Sequence, residues 1–148
     1  MNTEMIKIFA KQEDRTSVSE LITKLTEKLS ISPFDMAIVL KGYEPFDVSY
    51  DSSAVVCADE KEKYPFRSVL TYSENGLSGD VSLLNIQERE ECRSFEILRG
   101  TFMGRVFLPY AGRYSEKQVL IAFSALVLMG AQEKPLLSAI NEIIKEGE

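Results

Sequence analysis

The sequence predicts an α+β domain in which a mostly antiparallel meander sheet is packed by an N-terminal helix, a middle helix and a C-terminal helical pair. Capping signals ahead of apolar residues at helical spacing recur at Ser17, Asn85 and Ser115. The stretch 43–86 has the turn-punctuated texture of short strands. The last third reads as helix, first apolar on every side and then amphipathic. At 148 residues, with 45% apolar and 27% charged, the chain is sized as one domain, 1–148, able to fold without disulfide or metal.

Taken in order, residues 5–10 alternate only roughly and are expected as a short edge strand, followed by a polar connector over 11–16. Ser17 with Glu20 has the capping-box spacing, and Val18, Leu21, Ile22, Leu25 and Leu29 share one face of a helix over 18–30. Ser32-Pro33-Phe34-Asp35 repeats a helix-start signal, whereas Ala37-Ile38-Val39-Leu40 also suits a buried strand, so 33–41 stays open between the two. Strands are expected at 46–50, 54–58, 67–73 and 80–84, the last two joined by a hairpin at Asn75-Gly76.

Asn85 with Glu88, the acids that follow, and Arg93, Arg99 and Gly100 at the far end delimit a middle helix with Cys92, Phe95 and Leu98 inward. Residues 101–108 alternate as a strand in which Gly104 suggests a bulge. Ser115 with Gln118 opens a helix over 116–129 closed by Gly130, and Pro135 opens a final helix with Leu136, Leu137, Ile140, Ile143 and Ile144 on one side.

Charge and composition narrow the function. A net charge of -6, from 17 basic and 23 acidic residues, disfavours nucleic acid and anionic membrane surfaces. The longest apolar run, 119–129, is about half of the ~20 residues a membrane span needs. With no histidine in the chain, the usual general base, the Ser-His and Cys-His pairs and the commonest zinc ligand are all absent. Cys57 and Cys92 lack CxxC spacing and no signal pattern opens the chain, which implies free thiols in the cytoplasm.

Several constellations carry candidate chemistry. Residues 23–42 resemble helix-turn-helix repressors, with Leu29-Ser30-Ile31-Ser32-Pro33 as the turn; the second helix would offer Phe34, Ala37 and Ile38 where base reading needs Arg, Asn or Gln. Asp59-Glu60-Lys61, with Asp47 or Asp51 upstream, has the residue types of a Mg²⁺ nuclease site, yet its alternating charge reads as a solvated turn. Arg99, Arg105 and Arg113, beside Gly100, Gly104 and Gly112, are the candidates for an anion- or small-molecule-binding pocket. Val119, Phe123 and Leu126 lie in the all-apolar helix and are expected to serve the core and a homodimer interface.

The order helix, meander, helix, strand and C-terminal helices on an acidic chain is similar to the small homodimeric chaperones of type III secretion effectors, a resemblance that implies protein binding. The expected function is therefore that of a small acidic protein-binding module, an inhibitor, immunity protein or secretion-chaperone-like adaptor, with another protein as partner. The alternatives are an anion-binding domain or enzyme using the three arginines, and a helix-turn-helix regulator. No catalytic residue, metal ligand or cofactor is expected.

Overall fold

The computed structural model describes residues 5–10, 12–31, 35–40, 53–58, 68–74 and 79–146. Its strands are β1 (Met5–Ala10), β2 (Asp35–Leu40), β3 (Ser53–Cys57), β4 (Ser68–Ser73), β5 (Val81–Glu88), β6 (Cys92–Arg99) and β7 (Phe102–Pro109); its helices are α1 (Gln12–Lys28), α2 (Glu116–Leu128) and α3 (Glu133–Glu146). Among the described residues the strands form one sheet in the order β2-β1-β3-β4-β5-β6-β7. The α+β class holds, with a mixed sheet. β5, β6 and β7 are the antiparallel meander, while β2, β1, β3, β4 and β5 pair in parallel.

Parallel pairing corrects several expectations. β1 lies between β2 and β3 instead of at an edge. Residues 35–40 resolve as strand β2, since α1 is the crossover that returns the chain beside β1. The Asn75-Gly76 turn lies outside the described residues, but β4 and β5 run parallel through Tyr72↔Val81 and Ser73↔Ser82, so they are not hairpin arms. Asp80 stitches the return: its carboxylate accepts from the Thr71 amide at 2.9 Å, and its own amide donates to the Thr71 hydroxyl at 2.9 Å. The remaining strand expected at 46–50 lies outside the described residues.

The expected middle helix is absent. Residues 85–100 form the end of β5, a tight turn closed by the Arg89 amide on the Cys92 carbonyl at 2.9 Å, and β6. The spacing of Cys92, Phe95 and Leu98 imitates a helix, whereas the apolar side chains this strand buries fully are Phe95 and Ile97, two residues apart, with Cys92 and Leu98 only half-buried. The irregularity in this hairpin falls between Leu84 and Gln87, with Asn85 at φ 53, and not at Gly104. β6 and β7 pair without interruption from Cys92↔Pro109 to Arg99↔Phe102.

α1 begins at Gln12, so Ser17 lies inside the helix and Glu20 is free of any capping duty. Val18, Leu21, Ile22 and Leu25 are buried as expected. The helix closes with Ser30 at φ 54, where the Ile31 amide reaches the Thr26 carbonyl and the Ser30 amide that of Glu27, the arrangement Gly130 repeats after α2. α2 follows its sequence signals closely. The Ser115 hydroxyl accepts from the Gln118 amide, the Gln118 side chain accepts from the Ser115 amide, and Ser124 donates back to the Leu120 carbonyl at 2.8 Å.

α2 packs across β1, β3, β4 and β5 on one side, and α1 and α3, which touch each other, flank its other side. α3 also runs along the edge strand β7. Gly104 permits this approach, because a Cβ there would collide with Leu137 and the Phe102 ring. The Asn141 amide then binds the strand's outward backbone, donating to the Arg105 carbonyl at 3.0 Å and accepting from the Phe107 amide at 3.1 Å. A side chain thus makes the contacts that a neighbouring parallel strand would make, and the edge is blunted.

Two outcomes follow from this packing. Leu126→Ala, at a position with no exposure, is expected to cost about 2–5 kcal/mol by denaturant melt, from lost apolar burial and the cavity left in the core. Asn141→Ala is expected to cost about 1 kcal/mol, because two backbone groups lose partners at a place water reaches; an unchanged melt would show that α3 is held at the edge by packing alone.

Candidate functional site

In open parallel sheets ligands bind beyond the carboxyl ends of the strands, near the point where strand order reverses. Here the order β2-β1-β3 puts that point at β1. The elements that reach this edge are the first turn of α1, which follows β1, the residue after β4, and the first turn of α2. They bring together Asp14, Glu74, Lys117 and Gln118.

Asp14 is buried and shares its carboxylate: Oδ1 accepts from Gln118 Nε2 at 2.9 Å, and Oδ2 lies 3.8 Å from Lys117 Nζ. Lys117 lies 4.0 Å from Glu74 as well, so its ammonium sits between two carboxylates without a short bond to either. Gln118 serves two functions at once, since its Oε1 accepts from the Ser115 amide at 3.0 Å while its Nε2 holds Asp14. The cap that starts α2 therefore also orients the carboxylate of α1.

A second network adjoins it. Glu20 accepts from Lys24 at 3.0 Å, Arg113 at 2.9 Å and the Tyr114 hydroxyl at 3.3 Å, and Lys24 lies over the Tyr114 ring. The Lys24 hydrogen bond holds the Glu20 carboxyl below the ordinary carboxylate range, and the same bond raises Lys24. Burial pushes the Tyr114 phenol up. Arg93, raised by the charge of Glu116 at 2.8 Å, borders with Tyr110, Tyr114 and Ser115 a shallow groove of about 190 Å³.

The arginines singled out in the sequence do not converge. Arg99 pairs with Glu133 at 3.3 Å on α3, Arg105 with Glu96 and the Ser94 hydroxyl on the outer sheet face, and Arg113 with Glu20 on α1. Each charge is matched by a different carboxylate, so no anion pocket forms from the three. Val119, Phe123 and Leu126 have no exposure within this single chain, which leaves none of them to meet a second copy. Cys57 and Cys92 are free thiols, each half-buried. The helix-turn-helix is corrected by β2, a strand where the second helix would stand. Asp47, Asp51 and Asp59-Glu60-Lys61 lie outside the described residues. Among the described residues no three metal-ligating side chains gather, and no helix is long and apolar enough to cross a membrane.

The Asp14, Glu74, Lys117 and Gln118 cluster escaped the sequence reading, which put Asp14 in a connector and read Gln118 only as a cap. No local pattern joins residues that the sheet alone brings together.

Tyr114 offers a direct check on the second network. Its folded value lies above the unfolded one, so its contribution to stability is present below the ordinary tyrosine range and is lost as pH rises through the raised value. Spectrophotometric titration of the six tyrosines is expected to show a late-ionising component whose amplitude falls by one tyrosine in Tyr114→Phe; an unchanged late amplitude in the variant would refute the assignment.

No protein-family model matches the sequence, and no curated protein resembles it. Solved structures do. A UDP-N-acetylmuramoyl-L-alanyl-D-glutamate–2,6-diaminopimelate ligase matches with TM-score 0.71 and 10% identity over 96% of this chain and 46% of its own. MurF from Acinetobacter baumannii matches with TM-score 0.67 and 12% identity over 94% and 45%. MurF ligase from Thermotoga maritima, in complex with ADP, matches with TM-score 0.66 and 12% identity over 95% and 48%. The chain thus spans about half the length of each, and at such identities the likeness is one of fold. This fold, found in ligase enzymes, corrects the reading of the chain as an inhibitor, immunity protein or secretion-chaperone-like adaptor, which rested on a helix–meander–helix order that the parallel strands replace.

Proposed function

We propose that this chain is a ligase-type enzyme domain that binds a nucleotide at the carboxyl edge of its parallel strands, beside Asp14, Glu74, Lys117 and Gln118. The observation that carries the reading is the fold likeness to ligases over 94–96% of this chain, one of those ligases holding ADP. The cluster lies where the sheet rule puts a ligand. Lys117, loosely shared between two carboxylates, is the side chain most free to turn towards an incoming anion.

The dipeptide Gly-Lys occurs nowhere in the sequence, so the chain has no Gly-x-x-x-x-Gly-Lys loop to cradle phosphates. Without that cradle the phosphate contact falls to Lys117 alone, so binding is weak and gains little from each added phosphate. The same reading puts the protein in the cytoplasm, where free thiols such as Cys57 and Cys92 persist.

Thermal shift and calorimetry with adenosine, AMP and ADP test the proposal. A ligand at one hundred times its Kd adds about 2.7 kcal/mol of stability, so saturating ADP is expected to raise the Tm measurably. AMP and ADP are expected to bind within about tenfold of each other, a difference of ~1.4 kcal/mol, and Lys117→Ala to weaken both. Absence of any shift at millimolar nucleotide, or identical shifts in parent and Lys117→Ala, would overturn it.

A further inference from the structure

A second concavity lies beyond the end of β7, against the last turn of α3. It encloses about 300 Å³, near the small end of ligand pockets, and its walls are largely apolar: Phe107, Pro109 and Ile144, with Cys92 at one side. Asn141 also reaches it, but its amide is engaged by the β7 backbone on both atoms. Phe107 leaves 44% of its surface in solvent and has the Arg89 guanidinium 5.8 Å from its ring centroid.

Two charges line this groove, Glu91 from the β5–β6 turn and Lys145 from α3. Neither has an ion-pair or hydrogen-bond partner among the described residues, and they do not pair with each other. That separates them from Arg93, Arg99, Arg105, Arg113 and Lys117, all of which are matched by carboxylates. A free carboxylate and a free ammonium facing one apolar concavity form a complement to a small molecule that carries both charges and an apolar body.

We propose that this groove binds an apolar α-amino acid in its zwitterionic form, with the ligand's ammonium on Glu91, its carboxylate on Lys145 and its side chain against Phe107, Pro109 and Ile144. Each contact is a charge-assisted hydrogen bond, stronger than a neutral one and dependent on both partners being charged. The apolar wall selects leucine or phenylalanine over polar amino acids. The site stands on the groove alone and is independent of the nucleotide reading.

Calorimetric titration of the full chain with L-leucine tests the proposal, alongside N-acetyl-leucine, which lacks the ammonium, and leucinamide, which lacks the carboxylate. Free leucine is expected to bind saturably and each blocked form at least tenfold more weakly. Glu91→Gln and Lys145→Gln replace exposed side chains and leave the fold intact, as circular dichroism would verify. In Glu91→Gln the acetylated form should lose nothing further, because the partner of the missing ammonium is already gone. No saturable binding of leucine at millimolar concentration, or equal binding of the free and blocked forms, would overturn the assignment.

Discussion

Enclosure of α2 is the constraint on which the rest of the structure depends. From Val119 to Leu126 no residue of this helix retains meaningful exposure, so it must be covered around its whole circumference. A sheet covers one side of a helix only. The remainder falls to α1 and α3, and their mutual contact above α2 is the consequence. The one hydroxyl in this stretch, Ser124, is satisfied by its own helix, which lets the helix be buried on every side without an orphaned polar group. At roughly 25 cal/mol per Å² of apolar surface removed from water, burial of such a helix favours folding strongly, and the chain's own sheet and helices cover it without a second subunit.

Covering α2 also decides how the sheet ends. α3 can close over α2 and still lie along β7 only because Gly104 has no side chain and because Asn141 occupies the strand's outward backbone. An eight-residue edge strand bearing the exposed Met103 and Phe107 would otherwise offer a template for pairing. Pro109, which has no amide hydrogen, ends that strand. One helix therefore serves the core and the edge together.

The working edge is coupled to the same helix. Gln118 closes the N-terminal cap of α2 and holds Asp14 of α1, so the polar cluster is formed by the very bonds that start the buried helix. Preorganisation of this sort costs no separate ordering of side chains, because the cap orders them already. The adjoining Glu20, Lys24, Arg113 and Tyr114 network ties α1 to the loop before α2 and holds the two helices in register at this edge.

Where periodicity and capping chemistry are strong and local, the sequence by itself determined the outcome: α2 with its Ser115–Gln118 box, the buried face of α1, the apolar face of α3 and the strand at 102–109 are all legible from spacing alone. Residues 85–100 were misread because an Asn-to-Glu spacing and an apolar i, i+3 pattern occur in a turn and a strand as readily as in a helix; pairing of β6 with both β5 and β7 decided between them. Parallel against antiparallel order was also beyond the sequence, since a short apolar strand suits either direction; for β1 and β2 the crossover through α1 sets it. The Asp14, Glu74, Lys117 and Gln118 cluster belongs to tertiary structure alone: its members come from three separate segments, each unremarkable in its own context, and the charges meet only because the sheet delivers those segments to one edge.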